Sequence, residues 1–89
     1  MKIKKGFTLR KVMTQNVILA EGTNADSFGK ILTLNDSAAM LWNALIGKDF
    51  EAEDAARLLT TTYNIPPRQA QEDAHYIINL MTEKGLLDQ

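Results

Sequence analysis

The sequence predicts an α+β domain: a three-stranded antiparallel sheet followed by a three-helix bundle, in a winged-helix-like arrangement. Apolar residues alternate with a period of two in three short stretches before residue 35, and with a helical period of 3.6 after it. The 89 residues suit a single domain spanning 1–89. A hydrophobic content of 45% with 24% charged residues is typical of a globular chain.

The predicted strands are Phe7 to Met13, Val17 to Ala20 and Phe28 to Leu34. The first two are rich in β-branched and apolar residues, and residues 14–16 between them are typical of a short hairpin turn. A second turn-rich segment, residues 22–27, precedes the third strand.

The third strand is predicted to alternate between the core and solvent. Its inward set is Phe28, Lys30, Leu32 and Leu34, in which Lys30 would extend its charged end to water. Gly29 indicates a bulge or a close backbone approach near the start of the strand.

The first two helices carry clear end signals. Asn35 is a favourable N-cap for the first helix, and Gly47 is placed to end it. The second helix is predicted to begin near residues 49–51, with Phe50 packing over Ala55, and to break at Asn64. The predicted core positions of these two helices are Ala38, Leu41, Trp42, Leu45, Ala55, Leu58, Leu59 and Thr62.

The third helix has the strongest signals at both ends. Pro67 suits its first turn, and Gly85 suits the position just past its end, with Lys84 in the last turn. Leu86 and Met81 then form the apolar pair of a Schellman ending. The predicted core positions are Ala70, Ala74, Ile77 and Met81.

Charge is unevenly distributed along the chain. Residues 1–11 hold five basic side chains and no acid, although the formal net charge of the chain is −1. This segment is either a solvated first strand with a frayed, lysine-rich tip, or a basic arm that steers an acidic partner. The absence of an export signal and of an 18-residue apolar run predicts a cytoplasmic protein without a membrane span.

The sequence contains little that points to catalysis. It has no cysteine, which excludes disulfides, thiolate metal sites and a thiol nucleophile. His75 is the only histidine and is expected at the surface, and the adjacent acidic pairs at 53–54 and 72–73 fit helix N-termini. No nucleotide-binding or hydrolase motif occurs. We therefore expect no enzyme activity, no cofactor and no metal site.

A winged-helix DNA-binding transcriptional regulator is the alternative function for this fold. Such a protein needs basic side chains to neutralise phosphates. The third helix carries Arg68 and Lys84 against Glu72, Asp73 and Glu83, so it would repel phosphate. The charge pattern therefore predicts no nucleic-acid partner.

Several segments together resemble the PqqD family, which is named for pyrroloquinoline quinone biosynthesis. Leu34 to Trp42 (LNDSAAMLW) matches the family pattern LN-x-[ST]-[GA]-A-x-[IL]-W. The other matching segments are Phe7 to Arg10, Gly47 with the acidic helix start after it, Ala55 to Tyr63, Asp73-Ala74, Ile77-Ile78, Leu80 and Gly85 to Leu87. The chain lacks the Pro-Glu that precedes this region in the founding members, which favours a broader peptide-carrier role over quinone synthesis itself.

The resemblance implies a non-catalytic peptide chaperone, a recognition element for ribosomally made, modified peptides. It would bind the leader of a precursor peptide by strand addition and present it to a modifying enzyme such as a radical S-adenosylmethionine (SAM) enzyme. The implied site is the third strand and the flank of the third helix. The expected peptide-binding residues are Gly29, Lys30, Ile31, Leu32, Thr33, Gln71, His75, Ile78 and Thr82.

Overall fold

The computed structural model describes residues 1–21 and 30–88, so the expected turn at 22–27, Phe28 and Gly29 lie outside the described residues. The α+β prediction is confirmed: a three-stranded antiparallel sheet is followed by three helices. A second sheet of two short strands was not foreseen. The elements in chain order are β1 Lys2–Ile3, β2 Phe7–Val12, β3 Gln15–Ala20, β4 Lys30–Leu34, α1 Asp36–Leu45, α2 Ala52–Tyr63, α3 Pro67–Glu83 and β5 Leu87–Asp88.

The β2–β3 hairpin is tighter than the sequence suggested. Its last residue pair is Val12 with Gln15, which leaves a two-residue turn of Met13 and Thr14. The prediction of a turn at 14–16 is therefore wrong, because its last two residues already belong to β3. Met13 adopts a φ of 57°, a left-handed conformation that two-residue hairpins require and that a methionine does not signal.

Strand β4 pairs antiparallel with β3 and contains an irregularity of register. Leu32 pairs with Ile18, but Lys30 pairs with Leu19, so Ile31 is the extra residue of a β-bulge. Ile31 and Leu32 are both half-buried against the core, although they are neighbours in sequence. The expected placement of Ile31 on the opposite face from Leu32 is therefore wrong, because the bulge interrupts the alternation.

The helix ends follow the sequence signals closely. The Asn35 side chain accepts a hydrogen bond from the backbone N–H of Ala38 at 2.8 Å, which confirms Asn35 as the N-cap of α1. At the end of α3, Leu86 N–H donates to the carbonyl of Met81 at 2.9 Å, as a Schellman ending requires. Gly85 accommodates the φ of 71° at this ending.

Helix α2 differs in detail from its prediction. It begins at Ala52, with Glu51 as N-cap and the backbone N–H of Glu51 donating to the Asp54 carboxylate at 2.8 Å. Thr62 is exposed and Ala56 is buried, so the expected core position at Thr62 is wrong.

One apolar core joins both sheets and all three helices. Trp42 is 1% exposed and is one of the largest fully buried side chains. Apart from Thr62, the expected helical core positions and Leu34 lie in this core, with Leu58 half-buried at the margin. They are Leu34, Ala38, Leu41, Trp42, Leu45, Ala55, Leu58, Leu59, Ala70, Ala74, Ile77 and Met81.

The N-terminal segment is docked on the body of the domain. Strand β1 pairs with β5, Ile3 is 6% exposed, and Lys4 N–H donates to the Leu86 carbonyl at 2.8 Å. The N-terminal ammonium donates to the Asp49 carboxylate at 3.0 Å and holds the pKa of Asp49 below its ordinary value. The expectation of a frayed tip is wrong, because β5 supplies a partner strand from the other end of the chain.

Candidate functional site

Strand β4 is an edge of the three-stranded sheet. The strand order is β2-β3-β4, and within residues 1–21 and 30–88 the only strand that β4 pairs with is β3. An edge strand has backbone N–H and C=O groups directed away from its sheet. These groups are the template on which an incoming peptide strand can pair.

The side chains of β4 divide between the core and solvent. Leu34 is buried, Ile31 and Leu32 are half-buried, and Thr33 is exposed. The bulge thus leaves two partly accessible aliphatic side chains next to each other at the sheet edge. An added strand would find apolar surface there as well as backbone groups.

The C-terminal end of β4 is held by the side chain of Asn16, a residue of the predicted turn at 14–16. Asn16 is 9% exposed, and its Nδ2 donates to the Leu34 carbonyl at 3.1 Å and to Asp36 Oδ1 at 2.9 Å. Its Oδ1 accepts from Lys11 Nζ at 3.4 Å. Asn16 therefore fastens β3 to the point where β4 passes into α1. The signal in the sequence that could have identified this role is an amide side chain, Asn16, next to the apolar residues of β3.

The opposite edge, β2, has a different character. Its residues Arg10, Lys11 and Val12 are exposed, and two of them are charged. Charged side chains on an edge strand disfavour pairing with another chain. Both edges have half-buried apolar side chains, Phe7 and Leu9 on β2 and Ile31 and Leu32 on β4. Residues 31–34 of β4 carry no charge, which makes β4 the better template of the two edges.

The four expected residues on α3 have different surroundings. His75 and Thr82 are exposed, and the Thr82 hydroxyl donates to the Ile78 carbonyl at 2.8 Å. Gln71 lines a shallow groove together with α2 residues, including Arg57. Ile78 is 8% exposed and belongs to the core, so the expectation that it lies outside the buried stripe is wrong.

The other flank of α3 also carries side chains that could contact a peptide. Asp73, Tyr76 and Leu80 are spaced i, i+3 and i+7, which places them along one side of the helix. Asp73 and Leu80 are half-buried, whereas Tyr76 is 69% exposed. A large exposed aromatic side chain is a common contact residue. Tyr76 is therefore a second candidate for the helical side of the site.

The family comparison covers the whole of this edge and the helices behind it. A family profile described as coenzyme PQQ synthesis protein D (PqqD) matches residues 15–87, from the first residue of β3 to the first residue of β5. The chain belongs to the PqqD family. Searches of curated proteins and of solved structures gave no match. PqqD proteins are accessory proteins of coenzyme PQQ synthesis, and a precursor-peptide binding role is consistent with this membership.

Two further findings concern the part of the chain that the structure describes. Among residues 1–21 and 30–88, no three His, Asp or Glu side chains are grouped so that they could hold a metal ion. None of the helices in these ranges combines the length and the apolarity needed to cross a membrane.

Proposed function

We propose that this PqqD-family protein is a non-catalytic peptide carrier. In this proposal it binds the leader of a ribosomally made precursor peptide as an extra strand beside β4 and presents it to a modifying enzyme, such as a radical SAM enzyme. The observation that carries the proposal is the edge position of β4 in a chain of this family. Of the proposed strand residues, Lys30, Ile31, Leu32 and Thr33 belong to this edge, and Gly29 lies outside the described residues.

Strand addition explains how such a small domain would hold a flexible peptide. Backbone hydrogen bonds fix the register of the added strand, each contributing a net of about 0.5–1.5 kcal/mol. Side chains on one face of the added strand would contact the half-buried Ile31 and Leu32. The backbone ladder needs no catalytic side chain, since it holds the substrate while another protein performs the chemistry.

The fixed end of β4 supports this mechanism. Asn16 bonds the Leu34 carbonyl, and Leu34 is 3% exposed, so this end of the template is ordered before any peptide arrives. Preorganisation raises affinity because only the incoming peptide loses conformational entropy.

Two proline variants in the regular part of β4 test the proposal. Leu32 and Thr33 are consecutive residues paired with β3, so only one of them directs its N–H away from the sheet. Proline removes that N–H and obstructs the neighbouring strand. We expect one of Leu32→Pro and Thr33→Pro to abolish peptide binding with little loss of helical circular-dichroism signal, and the other to destabilise the sheet. Lys30 and Ile31 are less suitable positions, because the bulge disturbs the alternation there.

The probe is a fluorescent synthetic peptide that covers the leader of a candidate precursor, chosen as a short peptide gene that neighbours the gene of this chain. Leu32→Ala and Thr33→Ala are matched controls, because they trim the same side chains and keep both N–H groups. Hydrogen exchange on the unmodified protein should show new amide protection at residues 31–34 when the peptide is bound. If both proline variants fold and bind like the parent, the peptide does not add at β4.

The alternative function, DNA binding, is tested with the same purified protein. On α3, Arg68 and Lys84 are exposed, but so are Glu72 and Glu83. We therefore expect no duplex DNA binding that strengthens steeply as salt is lowered. Submicromolar, strongly salt-dependent binding of duplex DNA would contradict the carrier proposal and favour a role as a transcriptional regulator.

A further inference from the structure

The docked N-terminus creates a groove that is distinct from the β4 edge. Its volume is about 860 Å³, within the range of about 300–1,000 Å³ that binding clefts occupy. It lies between β1, the start of β2, the last residue of β5, and the turn that follows α1. We name it the lysine groove after three of its lining residues, Lys2, Lys4 and Lys5.

None of these three lysines forms an ion pair within residues 1–21 and 30–88, and Lys2 and Lys5 are exposed while Lys4 is half-buried. Lys2 lies opposite Asp88 in the β1–β5 pair and helps the N-terminal ammonium to lower the pKa of Asp49, so Lys4 and Lys5 are the lysines most available to an external anion. The groove contains two acidic residues, Glu21 and Asp88, against the three lysines. Its lining is therefore cationic on a chain whose formal net charge is −1.

The spacing of the lysines suits an extended ligand. Ile3 is 6% exposed and belongs to the core, so its neighbours in sequence, Lys2 and Lys4, are directed to the other side of the chain. Lys4 directly follows β1, and its N–H continues the pairing with a hydrogen bond to the Leu86 carbonyl. Residues at alternate positions of a strand are separated by roughly 6.5–7 Å. Carboxylates at alternate positions of an extended polypeptide have the same spacing.

The rim of the groove gives the ligand backbone and its apolar groups room to approach. Gly6 and Gly47 both line it with positive φ angles of 100° and 80°, and no atom lies within 4 Å of where a Cβ would stand on either. Ile46 beside them is 45% exposed, an apolar contact at the edge of a charged surface. A side chain with methylene groups gains from this surface, whereas a bare inorganic anion does not.

We propose that the lysine groove binds an acidic, extended segment of a partner protein, in which Asp or Glu occupies alternate positions. This site is independent of strand addition at β4. The lysines also precede residue 15, where the match to the PqqD family begins. Nucleic acid, the other extended polyanion, is distinguished from an acidic peptide by the test.

The test uses the full chain and a defined probe. The probe is an acetylated, amidated hexapeptide in which glutamate alternates with threonine, and its matched control carries glutamine in place of each glutamate. Titration of ¹⁵N-labelled protein should shift amides of residues 2–7 and 46–47, weakly and in a salt-dependent manner. The glutamine peptide should shift none of them.

Three variants test whether peptide binding depends on the positive charge of the groove lysines. The triple variant Lys2→Gln/Lys4→Gln/Lys5→Gln should bind the acidic peptide about tenfold more weakly, since each exposed ion pair contributes roughly a factor of two. The corresponding triple arginine variant should bind within about twofold of the parent. A variant that removes three charges elsewhere, Lys48→Gln/Arg68→Gln/Lys84→Gln, should also bind within about twofold.

The proposal is overturned if the glutamine peptide binds as well as the acidic one, or if the shifts lie away from the lysine groove. It is also overturned if a 12-nucleotide single-stranded DNA binds more tightly than the peptide with the same dependence on the three lysines. If the glutamine variant fails to fold, the arginine variant and the shift map of the parent decide between these outcomes.

Discussion

Replacing Asn16 by alanine tests the structural basis of the β4 template most directly. The side chain is 9% exposed, and its Nδ2 donates to the buried Leu34 carbonyl at 3.1 Å. Asn16→Ala leaves that carbonyl with one hydrogen bond fewer, which costs about 1–3 kcal/mol at a buried site. The bond to Asp36 adds little, because the Asp36 side chain is 85% exposed. We therefore expect the free energy of unfolding to fall by about 1–3 kcal/mol.

Urea denaturation followed by circular dichroism measures this loss, and a domain of this size should lose about 4–8 °C of Tm per kcal/mol. Asn79→Ala on the exposed face of α3 is the matched control, with an expected change within about 0.5 kcal/mol. If Asn16→Ala is no more destabilising than Asn79→Ala, the junction between β3, β4 and α1 does not depend on this amide.

Asn16→Asp tests whether the group at this position must be a hydrogen-bond donor. Its carboxylate would replace a donor with an acceptor facing the Leu34 carbonyl and the Asp36 carboxylate, so at neutral pH it should destabilise more than Asn16→Ala. An Asn16→Asp variant that is as stable as Asn16→Ala, or more stable, would contradict this arrangement.

Three other predictions follow from burial and exposure. Trp42→Ala should cost about 3–5 kcal/mol of unfolding free energy, and a loss below about 1 kcal/mol would contradict its 1% exposure in the core. His75→Ala and Tyr76→Ala compare the two flanks of α3, because the variant that weakens leader-peptide binding by several-fold in a polarisation assay identifies the flank beside the bound strand. Deletion of residues 1–6 should lower the Tm by at least about 8 °C, because it removes the buried Ile3 and the partner of β5, and an unchanged Tm would mean that β1 is not docked.

The local features of the fold were predictable from the sequence. Asn35 as N-cap, Gly85 past the end of α3 and the Schellman pair of Leu86 with Met81 were all correct. A helix end depends on the conformation and hydrogen bonds of four or five consecutive residues, so the local sequence contains nearly all the information. The buried stripe around Trp42 was equally predictable, because the 3.6-residue period of apolar side chains distinguishes the buried face of the helix from its exposed face.

The candidate site was predictable only in part. Family resemblance pointed to the third strand, and its position at the sheet edge agrees with that expectation. The bulge at Ile31 was not predictable at that residue, because it depends on the register between β3 and β4. Ile78 was misplaced for a related reason: its helical position borders the stripe, and only the packing of neighbouring elements decides whether such a position is covered.

The order of sheet and helices, the helix ends, most of the core and the family pattern LNDSAAMLW could all be inferred from the amino-acid sequence. Three features could be seen only in the folded chain: the pairing of β1 with β5, the fastening of β4 by Asn16, and the lysine groove. Each joins residues far apart in the chain, such as Ile3 and Leu87. Such contacts form only when the free energy gained by burying apolar surface exceeds the entropic cost of closing a long loop. A short segment of sequence does not contain the information to compare these two free energies.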